Sequence, residues 1–275
     1  VAALMGALPA EVIYTSGASE ANNLAIKGIA RAGRHTGRHI ISTSLEHASV
    51  GGALTALQTE GWEIDLLSIT REGKIDLEEL GELLRDDTVL VALTLVDSEL
   101  GTVQPVEEAK RIMAAFPAAK LHVDATQAVG KIPVKFDFAD TLSFAPHKFY
   151  GLNGSGVLLK RRGLVLEPLI HGGSGQSVYR SGTPTLGLAA ALEEALKLAS
   201  DELETRYAAV KRLNGKGIAT IAASINAGGL GTILFDGLRT MNVAKILWGS
   251  LLSALLAILI DRLLSLVEKR GAKAE

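Results

Sequence analysis

Short apolar segments alternate along the chain with longer segments in which apolar residues recur every three or four positions. The short segments are rich in β-branched residues and predict strands at residues 11–14, 39–42, 63–67, 89–93, 121–123 and 156–159. The longer segments predict helices at residues 20–32, 48–60, 77–84, 105–116 and 186 to about 213. This alternation indicates an α/β fold with a mainly parallel sheet that is covered on both faces.

Composition narrows the class of protein without identifying it. The chain has 275 residues, 48% of them hydrophobic, which is enough for a substantial core in one large or two small domains. The net charge of −2 and the pI near 6.4 lack the basic excess of nucleic-acid-binding proteins, so we expect no nucleic acid partner. Residues 1–5 carry no Lys or Arg, unlike a secretory signal, and we expect the globular part to be cytoplasmic.

Two charged residues 24 positions apart, Asp124 and Lys148, carry the most informative candidate chemistry. Asp124 follows a predicted strand, and Lys148 follows the sequence Ser-Phe-Ala-Pro-His. A lysine amine can attach covalently to the aldehyde of pyridoxal 5'-phosphate, while a buried carboxylate keeps the ring nitrogen of that cofactor protonated. Such a pair taken alone is more often a surface salt bridge, so the flanking sequence decides between the two interpretations.

The segment between the first predicted strand and the first predicted helix is a candidate phosphate site. Gly17 is flanked by Ser16, Ala18 and Ser19, so small residues open the helix. Free backbone N–H groups and the positive end of a helix suit a dianionic phosphate. A serine before a helix is also typical of a plain helix cap, which is the alternative for this segment.

Five sequence blocks in a fixed order resemble the cysteine desulfurase branch of the class V aminotransferases over about residues 1–213. The blocks are residues 15–25 (TSGASEANNLA), 45–47 (LEH), 123–131 (VDATQAVGK), 147–151 (HKFYG) and 171–183, which run from HGG to RSGT. The resemblance implies the large domain of a fold type I pyridoxal-phosphate-dependent transferase over residues 1–185. A connecting helix at 186–216 is expected to follow it.

The resemblance also implies roles for four residues around the cofactor ring. Lys148 is expected to hold the cofactor and to move the α-proton of the substrate, and Asp124 to contact the ring nitrogen. His47 is expected to stack on the ring and to handle protons. Gln127 is expected to donate a hydrogen bond to the phenolic oxygen of the cofactor.

At the phosphate, the resemblance implies contacts from Ser19 and from the backbone of Ala18. Thr183 is expected to reach the phosphate of the neighbouring subunit, which implies a homodimer with composite sites. His147 either touches the phosphate or simply packs, and the sequence leaves both alternatives open.

Three departures from the family pattern predict weakened activity. Ser98 stands where the family usually has an asparagine near the ring, and Ala145 stands where many members have a phosphate-binding Ser or Thr. The family converts L-cysteine to alanine and enzyme-bound sulfur with a thiolate nucleophile, whereas this chain contains no cysteine. We therefore expect a cysteine-like amino-acid substrate and impaired desulfurase activity.

The C-terminal part of the chain has a different character. Residues 214–275 hold seven Lys/Arg against four Asp/Glu, and residues 217–232 and 235–238 resemble the C-terminal end of an osmoprotectant-type ABC transporter permease. Because residues 246–260 carry no charge, we expect an apolar helical tail over 217–275 with membrane contact through 243–267. A core helix or a dimer-forming helix is the alternative.

The two resemblances together predict a fusion, in which a cofactor domain truncated at both ends is joined near residues 213–217 to a permease-like tail. The leading functional interpretation is a pyridoxal-phosphate-dependent enzyme of cysteine desulfurase type. The alternative is a catalytically inactive fusion or remnant protein. Transport by the chain itself is not expected, because a single span cannot form a pathway.

Overall fold

Seven strands form one sheet in the computed structural model of the protein, which describes residues 1–173 and 175–226 but not the side chains of 215–226. The strands are β1 Val12–Thr15, β2 His39–Thr43, β3 Glu63–Leu67, β4 Thr88–Thr94, β5 Lys120–Asp124, β6 Thr141–Phe144 and β7 Gly156–Lys160. Their order in the sheet is β1-β7-β6-β5-β4-β2-β3. Strands β2 to β6 are parallel, whereas β7 is antiparallel to both neighbours. The predicted α/β fold with a mainly parallel sheet is confirmed.

Helices follow most of the strands in the described part of the chain. The α-helices are α1 Ala2–Met5, α2 Ala18–Gly33, α3 Ala48–Thr59, α4 Leu77–Leu83, α5 Val106–Ile112, α6 Leu186–Asp201 and α7 Leu203–Asn226. Short 3-10 helices lie at Pro9–Glu11, Met113–Ala115 and Pro146–Phe149. The last of these carries Lys148 and therefore belongs to the candidate site.

Two apolar layers cover the two faces of the sheet. Neighbouring residues of one strand contribute to opposite layers, as Ile40 and Ile41 of β2 do. Leu24 of α2 lies in the Ile40 layer, whereas Leu80 of α4 and Leu192 of α6 lie in the Ile41 layer. This pattern follows from the alternation of side chains along a strand that is buried on both sides. Because both faces of the sheet are covered, a ligand site is expected at the ends of the strands.

The first and sixth strands differ from the sequence predictions. β1 begins at Val12 rather than at residue 11, because Glu11 belongs to a 3-10 helix and its buried carboxylate accepts the backbone N–H of Arg162 at 3.1 Å. β6 is absent from the predicted strands because its four residues, Thr-Leu-Ser-Phe, give too short an apolar segment.

The predicted single helix from 186 to about 213 is wrong, since the structure has two helices, α6 and α7, that are separated at Glu202. The carboxylate of Glu202 lies 2.6 Å from the Arg206 guanidinium in the first turn of α7. An acidic side chain is favoured at a helix N-terminus and disfavoured at a C-terminus, so Glu202 suits the start of a second helix better than the continuation of the first.

Residues Val1–Tyr207 form one compact unit, and a second unit begins at Ala208. The structure describes the second unit as far as Asn226, the last residue of α7. This helix therefore continues past the predicted domain boundary at 216. No helix within residues 1–173 and 175–226 is long and apolar enough to cross a membrane. The predicted apolar segment at 243–267 lies outside the described residues.

Candidate functional site

A cleft at the carboxyl edge of the parallel strands brings together six of the eight residues singled out by the sequence. Asp124 is the last residue of β5, His47 immediately precedes α3, and Lys148 follows β6. Ligands bind at this edge of open α/β sheets because the loops after successive strands meet there. The six of these predicted residues that help to line the cleft are Ala18, Ser19, His47, Asp124, Gln127 and Lys148.

The carboxylate of Asp124 is buried and accepts hydrogen bonds from two donors within the protein. Its residue is 5% exposed, and its two carboxylate oxygens accept the backbone N–H of Thr126 at 2.9 Å and the side-chain amide of Asn22 at 2.8 Å. A surface salt bridge with Lys148, the alternative from the sequence, is therefore wrong. The carboxylate is held in place while still lining the cleft.

The start of α2 presents unpaired backbone donors to the cleft. The first hydrogen bond of the helix runs from the N–H of Ala21 to the carbonyl of Gly17 at 3.1 Å. The preceding amides at Ala18, Ser19 and Glu20 therefore have no acceptor within the helix. Ala18 and Ser19 line the cleft, so the positive end of α2 faces the space that a bound anion would fill.

Glu20 would oppose an anion at this position, but its charge is balanced. Its carboxylate pairs with Arg180 at 2.9 Å and accepts the backbone N–H of Ser16 at 2.7 Å. Burial alone would raise the pKa of Glu20, but the hydrogen bonds from Arg180 and Ser16 outweigh that effect and hold the pKa below its usual value. The pair also ties the loop that contains Arg180 to the first turn of α2.

The turn before α2 is in close contact with the beginning of β7. A Cβ atom on Gly156 would lie 2.4 Å from the carbonyl carbon of Gly17, a distance that no side chain can occupy. Gly156 is therefore required for the close approach of the two backbones. At Gly17 itself a Cβ atom would meet no atom within 4 Å.

His47 is the N-cap residue of α3. Its Nδ1 accepts the backbone N–H of Ser49 at 3.1 Å and lies 2.8 Å from the Ser49 hydroxyl. Because Nδ1 is an acceptor, the neutral ring carries its proton on Nε2. The ring is exposed and lines the cleft, so it is oriented at one nitrogen and open at the other.

Beneath Asp124 lies a buried polar network that the sequence analysis did not identify. The carbonyl oxygen of Asn22 accepts from His122 Nε2 at 3.1 Å and from the Ser143 hydroxyl. His122 Nδ1 lies 2.9 Å from the Thr141 hydroxyl. Burial lowers the pKa of His122 to about 4 against the opposing charge of Asp124, so the ring is neutral. A polar residue inside an apolar strand segment, as His122 is, was the available signal.

Lys148 lies in a tight turn at the mouth of the cleft. Its 3-10 helix ends at Phe149 and is capped by Tyr150, whose φ of 71° is left-handed and the one such value for a non-glycine in the described residues. Burial, and after it the positive charge of Lys148, lowers the pKa of both His147 and Lys131. None of the salt bridges in the described part of the chain includes Lys148, whose exposed side chain lines the cleft.

Gln127 has one end of its amide engaged outside the cleft. Its Oε1 accepts a hydrogen bond from the Lys131 amine, four residues further along the chain. The NH2 group is therefore the end that is left for a ligand, which agrees with the donor role implied for Gln127. Gln127 lines the cleft together with Ser98, the serine that departs from the family pattern.

His147 and Thr183 do not line this cleft. His147 is exposed, because consecutive side chains of a 3-10 turn point about 120° apart and Lys148 takes the direction of the cleft. This position supports neither alternative from the sequence. Thr183 lines a neighbouring cleft with Arg180 and Ser155, whose buried hydroxyl has no partner in the described residues.

One further polar atom of the main cleft was not predicted from the sequence. The hydroxyl of Thr126 is buried and has no hydrogen-bond partner among the described residues, and Thr126 lines the cleft. A buried polar atom without a partner is costly unless a ligand completes it. This hydroxyl lies directly between Asp124 and Gln127 in sequence.

An α/β domain in which a helix start, a buried carboxylate and a lysine meet at the carboxyl edge of the sheet is typical of enzymes that bind phosphorylated small molecules. The family profile described as aminotransferase class V matches residues 1–233. The chain belongs to the class V aminotransferase family.

Individual relatives agree with this assignment. The chain is 43% identical over 208 residues to a NifS/IcsS protein homolog of Lactobacillus delbrueckii subsp. bulgaricus, covering 74% of this chain and 54% of the relative. It is 40% identical over 206 residues to the cysteine desulfurase IscS of Dictyoglomus turgidum, covering 74% and 52%. Among solved structures, a NifS-like protein superposes with a TM-score of 0.79 at 33% identity, covering 81% of this chain and 62% of that one.

The chain spans about half the length of the curated relatives it matches. The family match continues to residue 233, so the junction predicted near 213–217 falls inside it. Residues 234–275 lie beyond the match.

Proposed function

We propose that the cleft binds pyridoxal 5'-phosphate and that the protein acts at the α-carbon of a cysteine-like amino acid. The observation that carries the proposal is the meeting of the Lys148 amine, the Asp124 carboxylate and the start of α2 in one cleft. The donor set fits the cofactor, because each end of that molecule finds its chemical complement. When bound, pyridoxal phosphate supplies an electron-withdrawing ring that stabilises negative charge on the substrate carbon.

At the phosphate end, the backbone amides of Ala18 and Ser19 would donate to the anion. The hydroxyl of Ser19 is exposed and offers a further donor. The positive end of α2 adds a favourable field, and the pairing of Glu20 with Arg180 keeps a carboxylate charge from opposing it. Each of these groups acts by binding and orienting alone.

At the ring end, Asp124 would accept a hydrogen bond from the protonated ring nitrogen of the cofactor. Both carboxylate oxygens keep free lone pairs beside their present hydrogen bonds. The NH2 group of Gln127 would donate to the phenolic oxygen. His47, oriented through Nδ1, would lie over the ring face with its Nε2 proton available. Lys148 would hold the cofactor and, when its amine is released, move the α-proton of the substrate.

Sulfur chemistry is where we propose that this chain is limited. The relative from Dictyoglomus turgidum is named a cysteine desulfurase, which supports cysteine as the substrate class. The 275 residues contain no thiol that could take up sulfur, and Ser98 provides one short hydroxyl where the family has an amide. We therefore expect proton transfer at the α-carbon to persist and the formation of enzyme-bound sulfur on this chain to fail.

Thr183 supports a proposal about the assembly. It lies in a second cleft with Arg180, apart from the cleft of its own Lys148. We expect it to complete the phosphate site of a partner subunit in a homodimer. The domain division proposed for such a subunit is a cofactor domain over residues 1–185, a helical connection over 186–216 and a C-terminal segment over 217–275.

The second candidate is a catalytically inactive fusion or remnant with a permease-like tail. It is favoured by residues 234–275, which lie outside the family match and include the whole of the apolar segment, 243–267, that we expect to contact a membrane. In that case the cleft would keep its shape but would not retain the cofactor. The two candidates therefore differ in whether the protein binds pyridoxal phosphate, which can be measured directly.

Absorbance titration of the full chain with pyridoxal phosphate separates the two candidates. We expect a visible band that saturates in the unsubstituted protein and in Lys74→Ala, an exposed lysine away from the cleft. Lys148→Ala should lose that band. No band in the unsubstituted protein would favour the inactive remnant.

Incubation of the loaded protein with cysteine then tests the limit on sulfur chemistry. We expect exchange of the α-proton with solvent deuterium but no sustained release of alanine and sulfide. Continuous production of both in equal amounts would contradict the proposed limit while leaving the cofactor assignment intact.

A further inference from the structure

We infer that Asn22 is a positioning residue whose single buried amide sets both ring-contacting side chains, Asp124 directly and His47 through Ser49. The inference deepens the proposed function and rests on it for the identity of the ligand. The arrangement of the side chains themselves is a property of the protein without any ligand.

The orientation of the Asn22 amide is fixed because all of its hydrogen-bonding capacity is used. Its oxygen accepts from His122 Nε2 and from the Ser143 hydroxyl. Its nitrogen donates to Asp124 Oδ2 at 2.8 Å and to Ser49 Oγ at 2.8 Å. A flipped amide would place donors against donors at His122 and an acceptor against the Asp124 carboxylate. Asn22 is completely buried, so water cannot replace these bonds.

The orientation of the Asn22 amide fixes the tautomer of His122. Its Nε2 must carry the proton that it donates to Asn22, and its Nδ1 must therefore accept from the Thr141 hydroxyl, 2.9 Å away. His122, Thr141 and Ser143 are each fully buried. His122 of β5 and Ser143 of β6 thus donate to the amide oxygen, and Thr141 of β6 engages the other ring nitrogen of His122.

The first consequence concerns Asp124. Its Oδ2 is fixed by Asn22 and its Oδ1 by the Thr126 backbone, so rotation of the carboxylate about its last bond is blocked from two sides. A preorganised acceptor needs no rearrangement when a ring nitrogen arrives. Loss of the Asn22 donor would leave the carboxylate with one fixed oxygen.

The second consequence concerns His47. The Asn22 amide donates to Ser49 Oγ, which directs the hydroxyl hydrogen of Ser49 away from Asn22 and towards His47 Nδ1 at 2.8 Å. His47 then keeps its proton on Nε2. Because Ser49 connects the two residues, a change at Asn22 should reach His47 even though no direct hydrogen bond joins them.

Nitrogen NMR of the full chain with labelled histidine, recorded at neutral pH without cofactor, tests the inference. We expect the neutral rings of both His47 and His122 to carry the proton on Nε2 in the unsubstituted protein. Asn22→Ala should shift the ring signals of both histidines, whereas Ser49→Ala should shift those of His47 alone. Leu57→Ala, a core change at the far end of α3, controls for lost stability and should leave the ring signals of both histidines unchanged.

If Asn22→Ala does not fold, Asn22→Leu keeps a similar side-chain shape while removing both donors. Unchanged His47 ring signals in either folded variant would overturn the inference. In the titration with pyridoxal phosphate, we expect either variant to raise the dissociation constant about tenfold, the effect of one lost hydrogen bond to a charged group. An unchanged dissociation constant would also overturn it.

The inference and the proposed function can fail separately. Shifted histidine signals together with no binding of pyridoxal phosphate would retain the network and reject the proposed ligand. Binding of the cofactor together with histidine signals that do not change on substitution of Asn22 would retain the proposed ligand and reject the network.

Discussion

The floor of the cleft, formed by Asn22, His122 and Asp124, differs from its rim, formed by Ser19, His47 and Lys148. The floor residues are buried, and their polar side-chain atoms bond to neighbours within the protein. The rim residues are exposed, and the Lys148 amine faces the cleft. The floor fixes the geometry in advance, whereas the rim leaves reactive and binding groups available to a ligand.

Removal of the floor carboxylate should have the largest effect on the protein. Asp124→Ala leaves the donors of Asn22 and Thr126 without an acceptor in a buried place. We expect the free energy of unfolding to fall by about 2–6 kcal/mol, from two orphaned groups at roughly 1–3 kcal/mol each. Urea denaturation measures the loss, and Asp137→Ala, at an exposed position, should leave stability almost unchanged.

A smaller change at the same position separates stability from binding. Asp124→Asn retains the shape of the side chain and one oxygen, so it should fold, but it cannot stabilise a protonated ring nitrogen. If Asp124→Asn bound pyridoxal phosphate as tightly as the unsubstituted chain, the role given to the floor carboxylate in ligand binding would be incorrect.

The contact between β7 and the turn before α2 should come next in size. In Gly156→Ala the new methyl group must displace Gly17, with which it would overlap at 2.4 Å. We expect a loss of about 1–3 kcal/mol in unfolding free energy, as in other overpacked sites, together with weaker binding of phosphate-bearing ligands.

Gly51→Ala provides the matched control for that change. Gly51 lies in α3 with open space around the position of its Cβ atom. Alanine should therefore stabilise the helix by about 0.5–1 kcal/mol. A Gly156→Ala protein with unchanged stability and unchanged ligand binding would contradict the role given to the close backbone contact.

Glu46 should produce a smaller, pH-dependent effect. Its carboxyl group accepts from the Thr94 backbone and the Thr43 hydroxyl, both at 2.9 Å, and its other oxygen is buried without a partner in the described residues. Burial raises the pKa of Glu46 from 4.5 to about 8. The two hydrogen bonds act against this rise, and the negative charges of Asp124 and Asp97 add to it.

The sign of the effect follows from this raised value. Between the two pKa values the unfolded chain has released the proton and the folded chain has not, so stability falls as the pH rises. From pH 6.5 to pH 8 we expect a loss of about 1–2 kcal/mol, which exceeds the smaller gain as His122 loses its remaining charge in the unfolded chain. Denaturation series at several pH values should show this slope, and Glu46→Gln should flatten it. An identical slope in Glu46→Gln would contradict the assignment.

The parts of the fold that depend on local pattern could be predicted from the sequence. The apolar segments gave β2 to β5 and β7 within a few residues, and the motif residues on those strand ends met in one cleft. The break at Glu202 and strand β6 were not predictable in the same way, because one depends on a single acidic residue and the other on four mixed residues.

The floor of the cleft shows a different limit. Asn22 contacts Asp124 and His122, which are 102 and 100 residues away in the chain, and nothing in the helical pattern around Asn22 indicates those partners. Thr183 shows another limit, since its proposed partner belongs to a second subunit. Long-range polar contacts of both kinds require the folded structure.

Borohydride reduction of the protein loaded with pyridoxal phosphate, followed by peptide mass spectrometry, tests the central claim most directly. Reduction makes the bond between a lysine and the cofactor permanent, so the position of the added mass identifies the residue. We predict one modified peptide that contains Lys148, and no modification of Lys131 or of the exposed Lys74. A cofactor mass on any other lysine, or on none, would contradict the account.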